Sequence, residues 1–254
     1  MDSSILYSLM SPPDLAECRR ILCIQPHPDD NEVGMGGTVA AFAAKGCEIH
    51  YLTVTNGDLG SSDGKHSPAE IAVIRSRELE TAGRSLGATV FHQLPHSDGT
   101  LEHIPALAAE IAEIIRTVQP DAVFCPDPWL PYEAHYDHIV TGRAAAQAFL
   151  SSGLPLYPRG TSTRPWQPKA LGFYLTSEPN TVIDITGCFD QKLAAMALHS
   201  SQFSGEMLAL YRLYFKEKGH QLAEGKDFEI GEGFKVLSPL HLHCFVDAGL
   251  VQRV

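Results

Sequence analysis

The sequence is short of positive charge. Against 30 aspartates and glutamates it sets only 19 lysines and arginines, a formal net charge of −11 over 254 residues, and no run of basic residues occurs. The electrostatic footprint of a nucleic-acid or anionic-membrane partner is therefore missing. Long apolar runs are missing too. Stretches such as Val39 to Ala44 fall far short of the ~20 residues needed to cross a bilayer, and Met1-Asp2-Ser3-Ser4 carries no basic leader, so a cytoplasmic protein is expected. Six cysteines (Cys18, Cys23, Cys47, Cys125, Cys188, Cys244) never form C-x-x-C. They read as buried, reduced thiols that behave as small hydrophobes, which disfavours a thiolate zinc site. No internal repeat is evident. What is present, 44% hydrophobic and 19% charged residues, suits a globular α/β fold of a single domain spanning 1–254.

The chain alternates strand-like and helix-like segments. Arg20 to Gln25 is an apolar run ending at Pro26, and Thr38 to Lys45 reads as a helix stopped by Gly46. Cys47 to Thr55 alternates like a strand. After a polar loop from Asp58 to Lys65, Ser67-Pro68-Ala69-Glu70 has capping-box spacing and opens a long helix to about Leu86, with Gly87 as its stop. A strand at Thr89 to Leu94 precedes a helix at Ile104 to Val118, and a strand at Ala122 to Cys125 precedes a helix from about Tyr136 to Leu150.

Four β-then-α units predict a Rossmann-like, mostly parallel sheet of order 3-2-1-4-5 flanked by helices. The proline-rich segment 151–169 reads as a lid or a mobile excursion. Beyond it we expect strands near Leu171 to Thr176 and Thr181 to Ile185, and helices at Phe189 to His199 and Met207 to Lys218. Small C-terminal additions over 231–254 complete the chain, with His241 to Phe245 as a short extended piece.

Chemistry concentrates at two strand ends. Pro26-His27-Pro28-Asp29-Asp30 follows the first strand, and His135-Tyr136-Asp137-His138 follows the fourth. With order 3-2-1-4-5 these strands are neighbours at the switch point, where open α/β sheets bind ligands, and the two polar clusters share one pocket. Gly34-Met35-Gly36-Gly37 lacks the spacing of a dinucleotide loop. Those glycines fit a close approach of the first helix to the sheet.

These motifs resemble the PIG-L/LmbE-like zinc-dependent N-deacetylases. The likeness also takes in Arg75-Ser76-Arg77-Glu78, His96-Ser97-Asp98, His199-Ser200-Ser201-Gln202 and Gly231-Glu232-Gly233-Phe234, and Pro126 to Glu133 is most similar to the diacetylchitobiose deacetylases. The resemblance implies one zinc ion per subunit on His27, Asp30 and His138, two imidazoles and a carboxylate with an open position, as catalytic zinc sites have. It implies Asp29 as general base, His135 as stabiliser of the oxyanion and Asp137 as the group that orients His135. Tyr136 stands where many members have proline, which loosens the expected placing of His135.

Arg75 and Asp98 match positions that hold sugar hydroxyls, and His243 matches a histidine that approaches a neighbouring subunit's site. Trp129 and Tyr132 are placed for a flat ring to stack on a sugar face. The activity implied is removal of acetyl from an N-acetylated amino sugar, N-acetylglucosamine or a chitobiose-like disaccharide, by a trimer or hexamer with a small-molecule substrate and no nucleic-acid or membrane partner. Alternatives are the same hydrolysis on a glucosaminyl-thiol precursor, a glycolipid or an antibiotic, or metal-dependent sugar binding without turnover.

Overall fold

The β-then-α alternation folds into one seven-stranded sheet with helices on both faces. The computed structural model describes residues 11–61, 64–245 and 251. The first ten residues, two in the loop of 58–65, and 246–250 and 252–254 of the expected C-terminal addition lie outside the described residues. Strands are β1 Arg20–Gln25, β2 Glu48–Thr55, β3 Val90–His96, β4 Ala122–Pro126, β5 Ala170–Tyr174, β6 Thr181–Asp184 and β7 Gly231–Leu237. Helices are α1 Asp30–Ala44, α2 Pro68–Leu86, α3 Ile104–Val118, α4 Tyr136–Ser151, α5 Phe189–Ala197 and α6 Gly205–Ala223. The spatial order is β3-β2-β1-β4-β5-β7-β6. Neighbours from β3 to β5 run parallel, whereas β7 is antiparallel to both β5 and β6.

Successive side chains of β1 leave the sheet on opposite faces, so a strand covered on both sides is apolar throughout. Leu22 and Ile24 enter the core under α3 and α4 with Leu107, Ile111, Ile115 and Phe149. Ile21 and Cys23 enter the core under α1 and α2 with Val39, Phe42, Leu79 and Leu86. Helix α2 keeps the predicted capping box between Ser67 and Glu70, and Gly87 ends it at φ 97°. Among the described residues, no helix is long and apolar enough to cross a membrane.

Four expectations are corrected. The first helix begins at Asp30, not Thr38, and bends at Met35 (φ −149°, ψ 19°). Past the bend, the buried Glu232 carboxylate accepts from the Gly37 and Thr38 amides at 3.2 and 2.7 Å and so caps the second half of the helix. The glycines there do allow close packing: a Cβ on Gly34 would run into the Tyr174 ring and one on Gly37 into Ile185.

Secondly, the segment from Gly231 supplies a strand inside the sheet. Thirdly, His241 to Phe245 is not extended. The His243 and Cys244 amides turn back onto the Leu240 carbonyl, which leaves Cys244 an exposed thiol rather than a buried one. Finally, the 151–169 segment is no lid. The buried Arg116 side chain donates to the carbonyls of Ser152, Leu154 and Thr163, and Trp166 Nε1 donates to the Pro120 carbonyl at 2.7 Å.

Glu232 also pairs with Lys192, and both are buried. Removing one member leaves the other charge uncompensated in the interior. Lys192→Met is expected to lose roughly 3 kcal/mol of unfolding free energy in urea. An unchanged midpoint and slope would show that the pair contributes nothing.

Candidate active site

The parallel register of β1 against β4, Cys23 opposite Phe124, sets their carboxyl ends side by side, and the two histidine-aspartate clusters meet there. His27 lies in the turn after β1, Asp29 is the residue before α1, and Asp30 is its first residue. His135 is the residue before α4, whose first turn carries Asp137 and His138. Asp98 and Gly99 arrive from the end of β3, and Arg75 from α2. All of these but the buried Asp137 line an open cavity of about 540 Å³, with Leu59, Gly60 and Gln202 completing the wall. Two other clefts, of about 360 and 400 Å³, contain none of the cluster.

The contacts inside the cluster are close and mostly buried. Asp30 Oδ2 lies 3.3 Å from His27 Nδ1, and its Oδ1 lies 3.3 Å from His138 Nε2. The other His27 nitrogen, Nε2, faces Asp98 Oδ1 at 3.2 Å and Asp137 Oδ2 at 3.3 Å. The three imidazoles gather, with ring centroids 4.5, 5.4 and 5.0 Å apart. Asp137 therefore meets His27, and it also accepts from the Gly99 amide at 2.7 Å. The structure gives its contact to His27 instead of the His135 ring that the resemblance assigns to it, because the start of α4 turns Asp137 inward toward β1 and β3.

This donor set fits a divalent cation. Two ligand atoms about 2.1 Å from a tetrahedral ion stand roughly 3.4 Å apart, close to the 3.3 Å from His27 Nδ1 to Asp30 Oδ2 and from His138 Nε2 to the other oxygen, Oδ1. Among the described residues, the groups whose donor atoms all lie within 4.8 Å of one another are His27, His135 and His138, and His27, Asp98 and Asp137; Asp30 stands beside the first group through its contacts to His27 and His138. Glu133 stands 3.6 Å from His138 Nδ1, a buried atom without a hydrogen bond, and its other oxygen accepts from the His135 amide at 2.8 Å. Such a carboxylate on the far ring nitrogen orients a metal-binding histidine.

The electrostatics separate two adjacent carboxylates. Burial, with the neighbouring Asp30 charge, pushes Asp29 up to about 7 although Arg75, His199 and His27 oppose it. Burial acts on Asp30 in the same sense, yet His138 and His27 overcome it and hold Asp30 well below the usual carboxylate range. For His27, burial disfavours the charge, but the hydrogen bonds that its imidazolium donates to Asp137, Asp30 and Asp98 raise it to about 11. That much unbalanced carboxylate around one imidazole calls for positive charge. His135 is lowered by burial and by the His27 and His138 charges, which favours its neutral form.

Not every candidate residue joins the cavity. Arg75 and Asp98 do. Trp129 is half exposed, packs edge-on against Phe173 and lines the 400 Å³ cleft instead. Tyr132 projects fully into solvent at φ 67°, and His243 is exposed in the C-terminal turn; neither lines the cavity.

Residues that sequence motifs did not single out as site residues are Leu59, Gly60, Glu133 and Gln202. Glu133 had a signal, an acid two residues before His135. Gln202 closes the far wall by donating to the Gly60 carbonyl at 2.8 Å. Its run is docked by Ser200 and Ser201 on Glu78 of α2, and by His199 on the fully buried Glu32 at 3.2 Å.

With this geometry in place, the similarities to known proteins are informative. Residues 22–149 match the model of a family described as PIG-L: GlcNAc-PI de-N-acetylase. The chain is 36% identical over 226 residues, covering 85% of each protein, to the diacetylchitobiose deacetylase of Thermococcus kodakarensis. It is 32% identical over 195 residues, 72% of this chain and 84% of the relative, to a probable N-acetyl-alpha-D-glucosaminyl L-malate deacetylase 2 of Bacillus cereus. Among solved structures, N,N'-diacetylchitobiose deacetylase from Pyrococcus horikoshii, complexed with its inhibitor MPG, superposes with a TM-score of 0.87 at 33% identity, over 94% of this chain and 92% of that one.

Proposed function

Because the chain belongs to the PIG-L family of de-N-acetylases, which are amide hydrolases, we propose that it removes the acetyl group from an N-acetylglucosaminyl sugar, N-acetylglucosamine itself or a diacetylchitobiose-like disaccharide, releasing acetate and a free amine. His27, Asp30 and His138 would hold one zinc ion per subunit. Such an ion polarises a carbonyl and brings the pKa of a water from 15.7 to about 7. Asp29 takes the proton of the attacking water and returns it to the amide nitrogen as the C–N bond breaks, so that water adds across the bond and no other reactant is needed. His135 donates a ring N–H to the developing oxyanion, and removing such a donor costs roughly 10²–10³ in turnover. Asp98, at the cavity wall, takes a sugar hydroxyl.

The observation that carries this reading is the divergence of Asp29 and Asp30. Asp30 reaches His27 Nδ1 and His138 Nε2 with its two oxygens at 3.3 Å, whereas Asp29 lines the cavity beside Arg75, so the two consecutive carboxylates divide ligand and base between them. Acetate release is to be measured with diacetylchitobiose, N-acetylglucosamine and an N-acetylglucosaminyl malate, with and without a chelator. Release that stops with the chelator and returns with zinc is expected. Metal-dependent binding of these sugars with no acetate from any of them would make the chain a binding protein.

A further inference from the structure

Arg75 is only 3% exposed, the one buried polar residue of α2. We propose that it is a positioning residue: its guanidinium clamps the turn that presents Asp29 and fixes that carboxylate in the attitude a base requires. The inference rests on the reading of Asp29 as that base.

The turn needs a clamp. Asp29 has φ 134° and ψ −21°, outside the regions that residues with a Cβ ordinarily occupy, and strained conformations persist only where the surroundings over-determine them. Arg75 supplies that determination from one nitrogen. Nη2 donates to the Pro28 carbonyl at 2.7 Å and stands 3.2 Å from Asp29 Oδ1, so it holds both the peptide entering the strained residue and its side chain. Nη1 donates to the Gly57 carbonyl at 3.1 Å, which ties the turn after β1 to the loop after β2.

The second loop is shaped around the guanidinium. A Cβ on Gly57 would stand 2.7 Å from Arg75 Cζ, and one on Gly60 would stand 3.2 Å from it. An arginine seated in a fitted slot, with both terminal nitrogens already on protein acceptors, is held in place by the protein before any ligand arrives. A lysine there has one point charge and no planar fork, so it cannot hold both loops at once.

The test compares steady-state kinetics of Arg75→Met, Arg75→Lys, Asp29→Asn and the double variant Asp29→Asn/Arg75→Met on whichever N-acetyl sugar the enzyme turns over. We expect Arg75→Met to lower kcat by roughly 10² with KM within about threefold, the cost of misplacing a reacting group by about an ångström. Arg75→Lys should recover part of the loss. The double variant should be no slower than Asp29→Asn alone, because a residue acting only through Asp29 has nothing left to position.

A raised KM at unchanged kcat in Arg75→Met, with Asp29→Asn inactive, would overturn the clamp and leave the base intact. Full turnover in Asp29→Asn would overturn both. Should Arg75→Met fail to fold, Gly60→Ala keeps the arginine and crowds its Nη1. A fall in kcat at constant KM is expected there as well, and wild-type kcat would count against the clamp.

Discussion

Asp29→Asn is expected to lose roughly 10²–10⁴ of its turnover while keeping its metal, the range general acid-base groups contribute. The substitution keeps shape and volume and removes only the capacity to accept and return a proton. Asp29 makes no contact with His27 or His138 comparable to those of Asp30, whose two oxygens reach the two imidazoles, so the cation site should stay whole. Metal-to-protein ratio by elemental analysis, measured beside acetate release, checks both halves. Normal turnover at full occupancy would take Asp29 out of the mechanism.

His138→Ala should have the complementary signature, with metal and turnover lost together. Its Nε2 stands 3.3 Å from Asp30 Oδ1, and its far nitrogen faces Glu133. Carboxylates that merely orient a ligand cost about 10–100-fold in metal affinity when replaced, so loss of the ligand itself should exceed 10²-fold. Glu133→Gln falls in the lower band and is the calibrating variant. Dialysis against a competing chelator, followed by metal analysis, measures the order of the two. Retention of wild-type metal and activity in His138→Ala would leave His27 and Asp30 to act with His135, the other imidazole within reach.

Much of this was legible because the signals are local. The capping box at Ser67 and Glu70, the apolar spacing of α3 and the β-then-α alternation each depend on residues a few positions apart, and the structure keeps the α2 and α3 ranges and the order from β3 to β5. The convergence of His27 with His135 and His138 followed from that order, since it needed only that β1 and β4 be neighbours.

What failed depends on distant partners. Gly34, Gly36 and Gly37 look unfit for a helix until Glu232, far along the chain, caps the segment beyond Met35. β7 reads only as the start of a C-terminal addition because Gly231 and Gly233 carry no strand propensity, yet a Cβ on Gly231 would strike Val182 and one on Gly233 would crowd Pro179 and Leu222. The contact of Asp137 with His27, and the enclosure of Arg75 between two loops, are likewise products of tertiary packing that spacing alone does not encode.

The position of β7 between β5 and β6 has a consequence for biosynthesis. As the polypeptide emerges from the ribosome, β1 to β5 can assemble in turn, but β6 has no neighbour to join until residues 231–237 have been made. The same late strand delivers Glu232 to the helix that bears Asp30. A nascent chain halted before it would thus hold both histidine-aspartate clusters and still lack the carboxylate that caps the helix bearing Asp30.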